Sequence, residues 1–204
     1  AYTSTFGTPE ELRRIYDAGL AGHPFRELIV STRPDAVDPA RAALLASYRR
    51  EDRDVWVELG LQSAHDETLR AVKRGHDVAD FRRAFQELRD AGVYIAVHVI
   101  NGLPGEGLRE IEETAALLAA VRPDGVKIHN LHVPRGTGLY RDFLAGGMTL
   151  PSSRRQLRYA ARMIELLPPD TVIMRVSCDT PKDYRALPRR VIPKQQLYAA
   201  LTEE

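Results

Sequence analysis

Val57-Glu58-Leu59-Gly60-Leu61-Gln62-Ser63-Ala64-His65-Asp66-Glu67-Thr68-Leu69 begins as an alternating strand, breaks at glycine, and passes through a polar loop into a helical segment. The run ending in Gly102-Leu103-Pro104-Gly105-Glu106 follows the same grammar. In a parallel α/β sheet, the junction where a strand ends in such a loop and opens a helix is where ligands sit. These two junctions set the expected fold and the expected site.

Working outward, strand-like and helix-like patterns alternate along the chain. Thr8-Pro9-Glu10-Glu11 is a capping box with proline at the first helical position, and Leu12, Ile15, Tyr16 and Leu20 continue it as an apolar stripe. Asp38-Pro39 caps a second helix carrying Leu44, Leu45 and Tyr48. A short helix is expected through Leu69 and Val72 up to Gly75. Asp77 opens another, with Val78, Phe81, Phe85 and Leu88 on one face and Gly92 at its end. Leu108, Ile111, Ala115 and Leu118 mark the next, and a further helix is expected over 152–167. Strands are expected over 27–31, 55–60, 93–100 and 125–131, with a possible fifth over 171–176. Such βαβ succession means a parallel sheet with right-handed crossovers.

Side-chain alternation selects a barrel over an open doubly wound sheet. Val55, Val57 and Leu59 oppose Trp56, Glu58 and Gly60; Val93, Ile95, Val97 and Val99 oppose Tyr94, Ala96, His98 and Ile100; Val126 and Ile128 oppose Lys127 and His129. One face suits helix packing and the other carries ionisable groups, as a ligand-filled barrel interior would. The expected fold is the C-terminal part of a partial (β/α)6 TIM-like barrel, with barrel residues over 1–178 and a polar, proline-interrupted extension over 179–204 that holds one late helix. Too few strands are present to close a barrel, and the first would be an unpaired edge. We therefore expect a fragment, or a subunit completed by another chain.

Composition narrows the function classes. At 204 residues there is room for one substantial core, and a net charge of +1 gives no bulk drive toward nucleic acid or membrane. No apolar run approaches the roughly 18 residues that span a bilayer, and no signal peptide is visible, so the expected compartment is the cytoplasm. The single cysteine, Cys178, rules out an internal disulfide framework and cannot by itself hold an iron–sulfur cluster. His98, His129 and His132 lie on separate elements or at poor spacing, without an HExxH pattern, so no metal site is expected.

The ordered set Ser31-Thr32-Arg33-Pro34-Asp35, residues 57–69, residues 98–106 and residues 127–140 resembles radical S-adenosylmethionine (SAM) enzymes. The branch is that of the Elongator catalytic subunit and the oxygen-independent coproporphyrinogen enzymes. Closest in pattern is a small bacterial family of unassigned substrate, which carries the Trp-Val-Glu-Leu-Gly-Leu-Gln segment seen from Trp56. It also carries Arg74-Gly75-His76, Gly-Leu-Pro-Gly-Glu, and Val126-Lys127-Ile128-His129.

The resemblance implies SAM and a [4Fe–4S] cluster as cofactors, with the cluster's cysteine motif upstream of the residues present here. It also implies an electron donor such as flavodoxin or ferredoxin. Tyr2 to Phe6, including Thr3, falls where such barrels meet the SAM amino group. Ser31 stands where many relatives place a glutamate. Gln62 and Arg74 match positions that reach the methionine carboxylate, where an arginine would bind by charge-assisted, directional bonds. His98 stands where some relatives direct an aspartate at the ribose. The Gly102, Leu103 and Pro104 turn would bring backbone against adenine, which glycine permits. Glu58, Lys127, His129 and His132 are the candidates for substrate contact or proton management. The implied reaction is reductive cleavage of SAM to a 5′-deoxyadenosyl radical that abstracts hydrogen from an unknown substrate, with this chain alone inactive.

Structural alternatives stand beside these roles. Glu58 could simply pair with Lys127 across the interior, since a buried charge needs a partner. Gln62 could cap the following helix. Arg74 could serve the dipole of a helix's last turn before Gly75. Arg135-Gly136-Thr137 reads as a turn, and Arg154, Arg155, Arg158 and Arg162 as a solvated helix face. Two other functions compete with the radical enzyme: a degenerate barrel acting as a non-catalytic ligand-binding or docking subunit, and a lyase forming a Schiff base on Lys127.

Overall fold

Strands β1 (Glu27–Thr32), β2 (Asp54–Gln62), β3 (Tyr94–Asn101), β4 (Gly125–Asn130) and β6 (Val172–Arg175) pair in parallel in the order β1-β2-β3-β4-β6. The short strands β5 (Val133–Pro134) and β7 (Arg185–Leu187) form a separate antiparallel pair. These are findings of a computed structural model that describes residues 3–178, 185–189 and 192–203. Tyr2, named among the expected SAM contacts, lies outside the described residues, as does most of the first part of the expected extension over 179–204.

The helices form where the sequence places their caps. In α1 (Pro9–Leu20), Thr8 Oγ1 accepts from the Glu11 amide while the Glu11 carboxylate accepts from the Thr8 amide at 2.9 Å. Asp77 and Asp80 make the same reciprocal pair at the start of α4 (Val78–Asp90). Asp38 caps α2 (Pro39–Ala46), and Ser152 caps α7 (Ser153–Leu166). α5 (Leu108–Val121) lies between β3 and β4 in sequence and packs against α7.

One face of the sheet is fully covered. Val55, Val57, Leu59, Ile95, Val97, Val126 and Ile128 are buried against Phe81, Leu88, Ile111, Leu118 and Met163 from the helices. Each such side chain contributes about 1.5–3 kcal/mol by leaving water, so this face sets the register. The opposite face carries Ile29, Trp56, Tyr94, Glu58, His98, Lys127 and His129. Its floor is apolar: the rings of Trp56 and Tyr94 stack at 4.9 Å. Its margins are open, with Ile29 49% and Val172 55% exposed. β1 and β6 are the sheet edges among the described residues. The α/β fold with its parallel sheet is thus the one expected.

Three local expectations change. The short helix expected to reach Gly75 is α3 (Asp66–Ala71), so Arg74 lies beyond it and serves no last-turn dipole. Lys73 takes a positive φ of 56°, and the chain turns back there. Gln62 caps no helix. It ends β2 at a bulge with φ 72°, and the residue before α3 is His65, which makes no side-chain cap. The turn at 135–137 opens a helix that the pattern did not reveal, α6 (Gly138–Leu144), whose cap is Thr137 accepting from the Tyr140 amide at 3.2 Å. α8 (Lys194–Glu203) packs against α7.

Candidate active site

The inner face is organised by register. Glu58 lies beside Ala96, and Ala96 lies beside Gly125; one step on, Gly60, His98 and Lys127 form a row. Because Ala96 and Gly125 are small, the Glu58 carboxylate and the Lys127 ammonium meet across β3. Glu58 Oε1 accepts from Lys127 Nζ, and Oε2 accepts from Ser31 Oγ at 2.8 Å. His98 Nε2 stands 3.2 Å from the same Oε2, at ion-pair distance but off the hydrogen-bond line. Both side chains of the ion pair are largely buried, at 10% and 15% exposure. His98, Lys127 and Ser31 together hold the Glu58 carboxyl well below the usual carboxylate range, against the opposing effect of burial.

Above this row, the His129 ring lies 5.1 Å from that of His98. Burial is the main cause that lowers the His129 pKa to about 4, with neighbouring positive charge, including Arg175, adding to it. At neutral pH His129 is an uncharged imidazole whose buried Nε2 has no partner. His132 lies outside this group, in the loop after β4, with its Nε2 2.6 Å from Asn130 Nδ2. The four residues expected to touch substrate therefore divide: Glu58, Lys127 and His129 share one wall, and His132 does not.

At the strand ends the residues expected to meet SAM gather in part. Arg74 Nη2 donates to the Gly60 carbonyl at 3.4 Å, and its Nε is buried without a partner. Burial, then the Arg33 charge, pulls the Arg74 pKa down. Gly60 leaves room for both neighbours, since a Cβ there would stand 2.6 Å from Gln62 Nε2 and 3.1 Å from Arg74 Nη2. Gly102 takes φ 86°, and Leu103 turns its side chain into a small apolar cluster, so this turn offers backbone. Thr3 Oγ1 is 2.8 Å from Thr32 Oγ1. Ser31 is committed to Glu58.

The chemistry of the residues suits the carboxylate end of SAM: Arg74, half-buried with an unpartnered Nε and no ion pair among the described residues, stands beside Gly60 and Gln62. The residues do not fit a [4Fe–4S] cluster. The chain has one cysteine, and no group of three or more His, Cys, Asp or Glu converges as a metal site among the described residues.

Sequence patterning missed several polar groups. Ser63 Oγ donates to Glu106 Oε1 at 2.5 Å, tying the loop after β2 to the loop after β3, and burial raises the Glu106 pKa. Asn101, at the end of β3, is buried with neither amide atom partnered. Arg175 is paired with Lys127, on the inner face and exposed at its margin, because β6 carries an extra residue, Met174, whose side chain lies against Gly125. A polar residue inside a short apolar strand was the only signal for it.

Comparison with known proteins agrees with this architecture. The Radical SAM superfamily family model matches residues 4–118, and the Radical_SAM C-terminal domain model matches residues 123–204. The chain belongs to the radical SAM superfamily. Protein YhcC of Escherichia coli (strain K12) is 38% identical over 177 residues, covering 87% of this chain and 57% of that protein. The solved Elp3 of Methanocaldococcus infernus is 25% identical with a TM-score of 0.78, covering 95% of this chain and 44% of that one. Coproporphyrinogen III oxidase (HemN) from Escherichia coli shares the fold with a TM-score of 0.65 at 19% identity, over 80% of this chain and 37% of that one. The chain thus spans little more than half the length of YhcC. Membership does not favour the non-catalytic barrel. No helix among the described residues is long and apolar enough to cross a membrane.

Proposed function

We propose that this chain supplies the SAM-binding strand ends and part of the substrate wall of a radical SAM enzyme with an unidentified substrate, and that it is inactive as this piece alone. The observation that carries the reading is the half-buried Arg74 side chain, whose Nε is buried without a partner and which makes no ion pair among the described residues. Bound SAM and a reduced [4Fe–4S] cluster would supply the hydrogen-abstraction chemistry of this superfamily, and the described residues offer no ligand set for the cluster.

The chain's own groups bind and orient. Arg74 and Gln62 hold the methionine carboxylate, His98 faces the ribose, and the backbone of Gly102 to Pro104 meets adenine. Thr3 lies toward the amino group, with Ser31 next to it holding Glu58. Glu58 holds Lys127 in place rather than acting as a base, since its own oxygens are engaged. His129, neutral at its Nε2, can take or give a hydrogen bond to substrate. The apolar floor of Trp56 and Tyr94 keeps water from below.

Equilibrium dialysis of the chain against SAM tests the binding part. The expected result is retention by the wild type and loss in Arg74→Met; equal retention by both would remove Arg74 from the reading. Anaerobic reconstitution with iron and sulfide tests the rest. A cluster absorbance band and 5′-deoxyadenosine from this chain alone would overturn its inactivity.

A further inference from the structure

The inner wall holds more hydrogen-bond donors than acceptors. Lys127 uses one donor on Glu58, and its others meet no acceptor among the described residues. Arg175, exposed at the open margin of the sheet, makes no ion pair or hydrogen bond among the described residues. The β6 register seats Arg175 beside Lys127, and Met174, the residue before it, lies against Gly125 on the same face. His129, two residues beyond Lys127 on the same strand, adds a buried, unpartnered Nε2. The one carboxylate in the group, Glu58, is already shared by three neighbours.

A guanidinium and an ammonium borne at paired positions of adjacent strands, with the local carboxylate already shared, favour a ligand that brings acceptor oxygens and negative charge. We propose that the substrate carries an oxyanion, a carboxylate or a phosphate, seated between Arg175 and Lys127, with His129 Nε2 meeting a neighbouring polar atom of the same molecule. Arg175 is here a specificity residue: its planar fork selects a group with two coplanar or tetrahedral oxygens. The inference rests on the reading of this face as the substrate wall, and it concerns a site separate from Arg74.

The test is a titration of the chain at constant ionic strength, in one arm with inorganic phosphate and in the other with glutarate. The His129 imidazole Cε1–H resonance, assigned by its loss in His129→Asn, is the readout. The expected result is a saturable shift in at least one arm. Arg175→Gln should weaken it about tenfold and Arg175→Lys less, while Arg155→Gln on the exposed face of α7 should leave it unchanged. The arm that saturates at lower concentration assigns the oxyanion, and equal saturation supports the shared chemistry. Absence of a shift in both arms, or an Arg175→Gln titration matching wild type, overturns the proposal. Arg74→Met separates the two readings: it should abolish SAM retention and leave the anion titration intact.

Discussion

Lys127 on β4 and Glu58 on β2 form an ion pair across the strand between them, over Ala96. The pair exists because β3 presents a methyl group at the one position where a larger residue would separate the charges. It is the hub of the inner face, since Ser31 and His98 also converge on the same carboxylate.

Breaking the pair from one side should cost more than removing both charges. Lys127→Met leaves a largely buried carboxylate with Ser31 and His98 alone. We expect a loss of about 2 kcal/mol, below the ~3–5 kcal/mol of a fully enclosed pair because this face is open to solvent at its margins. Glu58→Gln with Lys127→Met should recover roughly half of it. Urea unfolding of the single and double variants measures the coupling, and strictly additive losses would show that the pair contributes nothing.

Stability should fall with acid in two separable stages. His129 titrates at about 4 when folded and at 6.5 when unfolded, so below pH 6.5 the unfolded chain binds a proton that the folded chain refuses. Its contribution is complete above that range and fades as pH drops toward 4. The loss is on the order of 2 kcal/mol once screening at the open face is allowed for. Glu58, depressed in the folded state, keeps its full contribution above the ordinary carboxylate value and loses it progressively as pH falls below that value, so most of its loss follows that of His129. Melting curves from pH 7 to 4 should therefore be flatter for His129→Asn than for wild type; parallel curves would exclude His129 as the source.

Arg74→Met should weaken SAM retention without weakening the fold. The side chain is half-buried and its Nε is buried without a partner, so its replacement by an apolar side chain of similar length removes a desolvation cost. We expect a stability change between zero and about +1 kcal/mol, read by chemical denaturation. A large destabilisation would mark Arg74 as a structural residue.

Gly60→Ala should act on the ligand site alone. The added methyl displaces the ends of Gln62 and Arg74, both flexible, while the nearest backbone atom, the Thr32 carbonyl, lies at a comfortable 3.6 Å. Retention of SAM should drop about tenfold, or about 1.4 kcal/mol, with a change in melting temperature of only a few degrees. Unchanged retention would mean that neither side chain contacts the ligand.

Much of this was legible from residue pattern. The period of two along β2, β3 and β4 marks one aliphatic and one ionisable face, because every second side chain must enter the helix layer. The caps at Thr8, Asp38 and Asp77 start helices where a local hydrogen bond suffices. α6 escaped notice because it is short and fully buries none of its side chains, with Leu139, Tyr140 and Phe143 only partly buried against a small cluster. β5 and β7 pair over two and three residues far apart in sequence, too short for any periodicity.

The sequence by itself determined the parallel sheet, which face of it is ionisable, and membership of the superfamily, because these depend on alternation and ordered motifs that are local in the chain. Only the tertiary structure decided that Glu58 is shared by Ser31, His98 and Lys127, that Arg74 stands beyond its helix with an orphaned nitrogen, and that Arg175 is paired with Lys127. Simple alternation places Arg175 on the opposite face with Ile173. One extra residue in β6 reverses it, and the space for that bulge comes from Gly125 on the neighbouring strand, a long-range fact that no local pattern contains.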